Sequence, residues 1–198
     1  MNLQGILRFF RALEKYFHKP CRVILTGAGA GIIYGKVRAT LDLDFALDLK
    51  GNWKEFQEAA RRASLKTGIA VQYAEDIDRW SSITFLDYKK HTRPFKRFGS
   101  MEVRVLDPSY WAIGKLARYL DPDIRDLIQV LKKTKTSWKK LARLLGLALR
   151  KSPKSTACFL FRRQVEDFLT TYGRQVWGKT YSKEQAIGIF HQSARIQP

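Results

Sequence analysis

A chain of 198 residues is long enough to bury a real core and to form one domain with a helical extension. No apolar run reaches the ~18 residues of a membrane span, and Arg8 and Arg11 interrupt the N-terminal apolar stretch, which ends in no small-residue cleavage site, against a secretory leader. The net charge of +19 points to a polyanionic partner, and two distant cysteines, Cys21 and Cys158, read as buried thiols of a reducing cytoplasm.

In chain order, Leu3, Ile6, Leu7, Phe10, Leu13 and Phe17 recur at helical spacing and predict a packing helix over 3–17. Val23, Ile24, Leu25 and Thr26 form a strand that feeds the turn Gly27-Ala28-Gly29, and a short helical stretch ends near Gly35. Residues 41–49 alternate as a second strand. Asp42, Asp44 and Asp48 point to one face, and Leu41, Leu43, Phe45, Leu47 and Leu49 to the other. Carboxylates two apart on a strand lie about 6–7 Å apart at the backbone. That reach suits magnesium, which takes one or two carboxylates and keeps its other positions for water and phosphate. The glycine turn offers bare backbone N–H groups to a phosphate. A solvated edge strand and a plain tight turn would give the same residues, so both readings stand at this point.

Further on, Asn52 and Glu55 form the pattern of a capping box, with Phe56, Ala59, Ala60 and Ala63 facing inward until Gly68 stops the helix. Strands are predicted near 69–73, 83–88 and 101–106. Between the last two, the basic loop 89–97 mixes cations with Phe95; it suits a nucleotide or a single strand, and equally a solvated hairpin. Asp107-Pro108 is a helix start. That helix is expected to bury Tyr110, Ile113, Ala117 and Leu120, with Lys115 on the opposite face beside Trp111, Arg118 and Tyr119. Asp121-Pro122 repeats the signal. Asp123 favours the dipole of the first turn, whereas Asp126 lacks that reason, and pattern alone reads Lys115 and Asp126 as solvated.

Three more helices follow. The first, 138–150, turns Trp138, Leu141, Leu144, Leu145 and Leu149 inward and Lys139, Lys140 and Arg143 outward. The second starts at Ser152-Pro153 and runs to about Tyr172, with Phe159, Phe161, Val165 and Phe168 inward; the third is opened by Ser182 and Gln185. Charge is uneven along this order. Residues 1–107 hold 19 Lys and Arg against 12 Asp and Glu, while 132–198 hold 15 against 3. A net +12 on 67 residues points to a polyanion, with nucleic acid favoured over an acidic partner protein or a basic surface kept only for solubility.

The string Thr26-Gly27-Ala28-Gly29-Ala30, then Gly35, Arg38 and Thr40-Leu41-Asp42-Leu43-Asp44-Phe45, resembles the signature of nucleotidyltransferases of the DNA polymerase β superfamily. Lys115-Leu116-Ala117-Arg118 followed by Asp123-Ile124-Arg125-Asp126-Leu127 is similar to the later motif of the minimal, abortive-infection branch, with its AbiE-like and MenT-like toxins. The two motifs cover about 20–131. The resemblance implies an α+β fold: a small mixed twisted sheet of nucleotidyltransferase type flanked by helices (1–107), then a basic C-terminal helical bundle (108–198) completing a cleft. It implies that Asp42 and Asp44 bind magnesium and triphosphate; Asp87 is the candidate for the family's third carboxylate, and if that position instead falls at Thr84 the site has two carboxylates. Gly27, Ala28 and Gly29 would cradle phosphates, Arg38 and Thr40 would join the nucleotide site, Lys115 would contact phosphate, and Asp126 would share the pocket. Ala28 stands where the family has Gly or Ser.

The expected activity is transfer of a nucleoside monophosphate from an NTP to the 3′ end of tRNA by a toxin-like cytoplasmic enzyme, with release of pyrophosphate. Protein modification, of an antitoxin or another protein, is the enzymatic alternative. A non-catalytic RNA-binding protein on the same scaffold is the alternative of another class. The expected partners are therefore tRNA or other RNA, NTP and an antitoxin protein, with no membrane.

Overall fold

The computed structural model describes residues 1–35 and 40–196. The chain is α+β, with a five-stranded mixed sheet and eight α-helices among the described residues. None of these helices is long and apolar enough to cross a membrane. Two compact units divide the chain: Met1–Ile77 with Lys89–Leu106, and Asp78–Tyr88 with Asp107–Pro198.

The first unit holds the sheet. Its strands are β1 (Cys21–Leu25), β2 (Asp42–Asp48), β3 (Ala70–Ala74), β4 (Thr92–Phe98) and β5 (Met101–Leu106), in the order β3-β2-β1-β5-β4. β1 runs antiparallel to β2 and parallel to β5; β3 is parallel to β2, and β4 antiparallel to β5. Val23, Leu25, Leu43, Phe45, Leu47, Met101, Val103 and Val105 are buried on one face of this sheet. Helices α1 (Leu3–Glu14) and α3 (Trp53–Thr67) bring Phe10 and Phe56 to Phe45, whose ring also stacks on Tyr73 at 5.4 Å between centroids. Helix α2 (Gly27–Ile33) packs on β2.

Three expectations for this unit change. The capping box does not form: Asn52 sits at φ 58°, and its Oδ1 and Glu55 Oε2 both accept from Lys19 Nζ, at 2.8 and 2.5 Å. An Ncap needs extended backbone to turn its side chain onto the first N–H groups, and the left-handed conformation does not do this. Leu41 is 92% exposed and precedes the strand. The basic stretch 89–97 is mostly strand β4 and not loop, because its backbone pairs with β5 from Thr92 onward.

The second unit is helical: α4 (Pro108–Arg118), α5 (Asp121–Lys133), α6 (Trp138–Lys151), α7 (Thr156–Trp177) and α8 (Lys183–Ala194). Asp107 caps α4 through Ser109 N, and Ser182 caps α8 through Gln185 N. Leu116, Leu127, Leu145, Phe161, Phe168 and Phe190 are fully buried. α6 and α8 meet closely at Gly146, where a methyl group would stand 2.5 Å from Phe190 O.

The expected strand 83–88 is absent. Ile83 N donates to Ser81 Oγ, Thr84 N to Ser152 Oγ and Phe85 N to Asp78 Oδ1, so side-chain oxygens take the donors a sheet would have used. Ile83, Phe85 and Tyr88 are nonetheless buried, Phe85 against Gly114 of α4. The inward face of α4 is also rotated from expectation: Trp111, Ala112, Ile113, Lys115 and Leu116 are buried, whereas Leu120 is 55% exposed. α7 starts at Thr156, with Ser152 ending α6 instead, and Phe159 points outward.

Candidate active site

β2 carries the expected carboxylates as expected. Asp42, Asp44 and Asp48 are each half-buried, and Leu43, Phe45 and Leu47 between them are fully buried. The strand's alternation therefore presents Asp42 and Asp44 on one face of the sheet. Asp42 is held from two sides: Thr40 Oγ1 donates to its Oδ1 at 3.0 Å, and Gln72 Nε2, from β3, donates to its Oδ2 at 3.2 Å.

Asp44 is set against the glycine turn. Its backbone carbonyl accepts from Thr26 N at 3.0 Å, which pins the end of β1 to β2. Gly27 follows at φ +54°, and a methyl group there would lie 2.9 Å from Asp44 Cγ and closer still to Oδ2. Glycine is thus required twice, for its left-handed backbone and for the space the carboxylate takes. Gly29 lets α2 settle on Leu43, whose Cδ1 would be 2.6 Å from an added methyl. Ala28 between them is half-buried.

Two carboxylates on one strand face are a donor set of the size that magnesium takes when phosphate and water complete its shell. Among the described residues no three His, Cys, Asp or Glu side chains form a metal-holding group. Arg38 lies outside the described residues. Asp87 belongs to the helical unit; it is exposed, follows Leu86 at φ 53°, and is not on a strand. With Asp107 it adds negative charge around Tyr110, whose pKa is raised first by burial and then by these two carboxylates.

Lys115 and Asp126 are brought together, but inside the protein, which overturns their reading as solvated residues. Lys115 is 4% exposed, Asp123 0% and Asp126 2%. Lys115 Nζ donates to Asp123 Oδ1 at 2.8 Å and to Asp126 Oδ2 at 2.9 Å, and lies 5.4 Å from the centroid of the Trp111 ring. Arg118 completes the cluster with two bonds of 2.6 Å to Asp123. Burial pushes the Asp123 carboxyl upward, but the bonds from Arg118 and Lys115 outweigh it and hold the pKa below the ordinary carboxylate value. The cluster ties α4 to α5.

No family model, curated protein or solved structure matches the chain. The resemblance therefore stands on the two motifs themselves.

Sequence reasoning missed Gln72 as a partner of Asp42. Nothing in the local pattern marks it, because it reaches Asp42 only through the parallel pairing of β2 and β3.

Proposed function

We propose that this chain is a magnesium-dependent nucleotidyltransferase that moves a nucleoside monophosphate from an NTP to a hydroxyl at the 3′ end of an RNA, with tRNA the favoured acceptor and a toxin-like role in the cell. The observation that carries this reading is the pair Asp42 and Asp44 on one face of β2, the first oriented by Thr40 and Gln72, the second packed against the bare backbone of Gly27.

In the proposed reaction the acceptor oxygen forms a bond to the α-phosphorus, the bond from that phosphorus to the bridging oxygen breaks, and pyrophosphate leaves with its electrons. The hydroxyl proton passes to solvent. Magnesium, when bound, supplies positive charge against the charge that develops on the transferred phosphate. Asp42 and Asp44 would hold that cation. Thr40 and Gln72 orient Asp42, as outer partners of a ligating carboxylate do. Gly27 lets the backbone approach both the carboxylate and a phosphate. Lys115 and Asp126 take a structural role in this reading, because each is already engaged in a buried ion pair.

The test is incubation of the purified chain with magnesium, total tRNA and each α-labelled NTP in turn, beside Asp42→Ala/Asp44→Ala. Label entering tRNA from one preferred nucleotide, with the variant silent, is the expected result. Label on protein replaces the acceptor with a polypeptide, such as an antitoxin. No transfer to any acceptor removes the enzyme reading and leaves an RNA-binding scaffold.

A further inference from the structure

The sheet's outer strand carries a second feature that the carboxylate site does not use. Residues 89–97 contain five Lys and Arg, one His and no acidic residue. They end the turn Tyr88–Lys90 and form most of β4, which lies last in the strand order and so leaves one edge unpaired among the described residues. Lys89, Lys90, His91, Arg93, Pro94, Lys96 and Arg97 are exposed, and Phe95 is half-exposed among them.

The pairing with β5 explains how the cations are displayed. Arg93 stands opposite Val105 and Pro94 opposite Arg104; a bulge then intervenes, so that Lys96 stands opposite Val103 and Arg97 opposite Glu102. Val103 and Val105 share the buried face of β5, and Glu102 and Arg104 the other. Without the bulge, Arg93 and Arg97 would lean to one side. With it, Arg93 and Lys96 rim one face of the edge and Arg97 the other. Two of these cations rest near rings, Arg93 at 5.9 Å from the Tyr34 centroid and Lys96 at 5.9 Å from that of Phe98. The carboxylate opposite Arg97, Glu102, is bonded by Arg22 at 3.1 Å and Arg104 at 2.7 Å.

An open edge invites a peptide strand, but Pro94 has no N–H to offer, and the bulge breaks the repeat that an added strand would follow. A polyanion needs no backbone register. We propose that the β4 edge is a docking strip for single-stranded RNA, the phosphates lying along Lys89, Lys90, Arg93, Lys96 and Arg97 and a base stacking on Phe95. This deepens the nucleotidyltransferase reading by naming where its acceptor is held on the catalytic unit, yet binding is measured apart from transfer.

The test uses the full chain and a fluorescent oligouridylate, with affinity followed over a range of NaCl concentrations and no NTP. Each phosphate contact to a single strand contributes about −0.7 to the slope of log affinity against log salt. Arg93→Gln/Lys96→Gln/Arg97→Gln should weaken binding and make that slope shallower by about 2. Lys89→Gln/Lys90→Gln, outside the strand, should make it shallower by about 1.4 and guards against a misfolded first variant, with thermal melts of both as the check. Unchanged affinity and slope in both variants overturns the proposal, as does binding of poly-glutamate through this edge in place of RNA. Asp42→Asn/Asp44→Asn should keep the wild-type slope. A chain that binds RNA here but transfers no nucleotide keeps the strip and loses the enzyme reading; one that labels a non-RNA acceptor and ignores oligouridylate does the reverse.

Discussion

Lys115 shows how much one buried charge constrains its neighbours. Its two carboxylate partners are almost wholly removed from water, so deleting the ammonium takes a buried counter-charge from each, and Asp123 keeps its bonds from Arg118. Removing one member of such a cluster costs about 3–5 kcal/mol, mainly because the remaining charge stays buried and unpaired. Lys115→Met is therefore expected to lower the unfolding free energy measured in urea by that much, with a correspondingly lower midpoint. A pH effect follows from Asp123. Its folded pKa lies below the unfolded one, so its stabilising contribution is fully present above the ordinary carboxylate range and is lost as pH falls through the lowered folded value. Acid unfolding of the wild type should be steep below about pH 4, and Lys115→Met should partly flatten this limb, since Arg118 and then Lys115 cause the lowering and only Arg118 remains. A mutant whose acid limb and urea midpoint match the wild type would show that the cluster contributes nothing.

The segment Asp78–Tyr88 teaches a related lesson about elements. Alternation of Ile83 and Phe85 reads as a strand, and both residues are indeed buried. Alternation specifies which side chains go inward, but a strand also needs a partner for its N–H groups. Here Ser81, Ser152 and Asp78 supply the acceptors one by one. Ser152 Oγ both accepts from Thr84 N at 2.9 Å and donates to Ala148 O at 2.8 Å, linking this segment to the end of α6. Ser152→Ala should cost about 1–3 kcal/mol in thermal or urea unfolding, the penalty of a buried donor left unsatisfied. Ser155→Ala is the control: Ser155 occupies the Ncap position of α7 without making the capping bond, so its loss should stay within about 0.5 kcal/mol. Equal losses in the two variants would remove the role given to Ser152.

Charge acts over the whole molecule. The excess of +12 on residues 132–198 has a visible outlet on α6, where Lys139, Lys140 and Arg143 are exposed while Leu141, Ala142 and Leu145 face the core. Lys139 keeps its ammonium 5.2 Å from the centroid of the Trp138 ring. Replacing all three cations by Gln should weaken RNA binding and make its salt slope shallower by about 2, while magnesium-dependent NTP binding is unchanged. The stability of this variant should match the wild type within about 0.5 kcal/mol, because all three side chains are exposed. An unchanged salt slope would assign the excess charge to something other than RNA contact by α6.

Unlike the inward face of α4, the carboxylate face of β2, the glycine turn before it and the apolar stripe of α3 were legible in the chain itself. Each depends on a local period, two residues for a strand and 3.6 for a helix, and local periods survive without knowledge of the fold. Cap geometry was only partly legible: Asp107 and Ser182 cap as their sequences announce, whereas Asn52 takes a left-handed backbone and gives its side chain to Lys19. Partner choice was not legible. Gln72 reaches Asp42 across 30 residues, Ser152 reaches Thr84 across 68, and Lys115 faces inward because two aspartates on the next helix neutralise it. A lysine on a helix reads as solvated until its counter-charges are placed, and strand donors read as sheet until their acceptors are found. Those acceptors and counter-charges come from distant parts of the chain, and only folding brings them within hydrogen-bond reach.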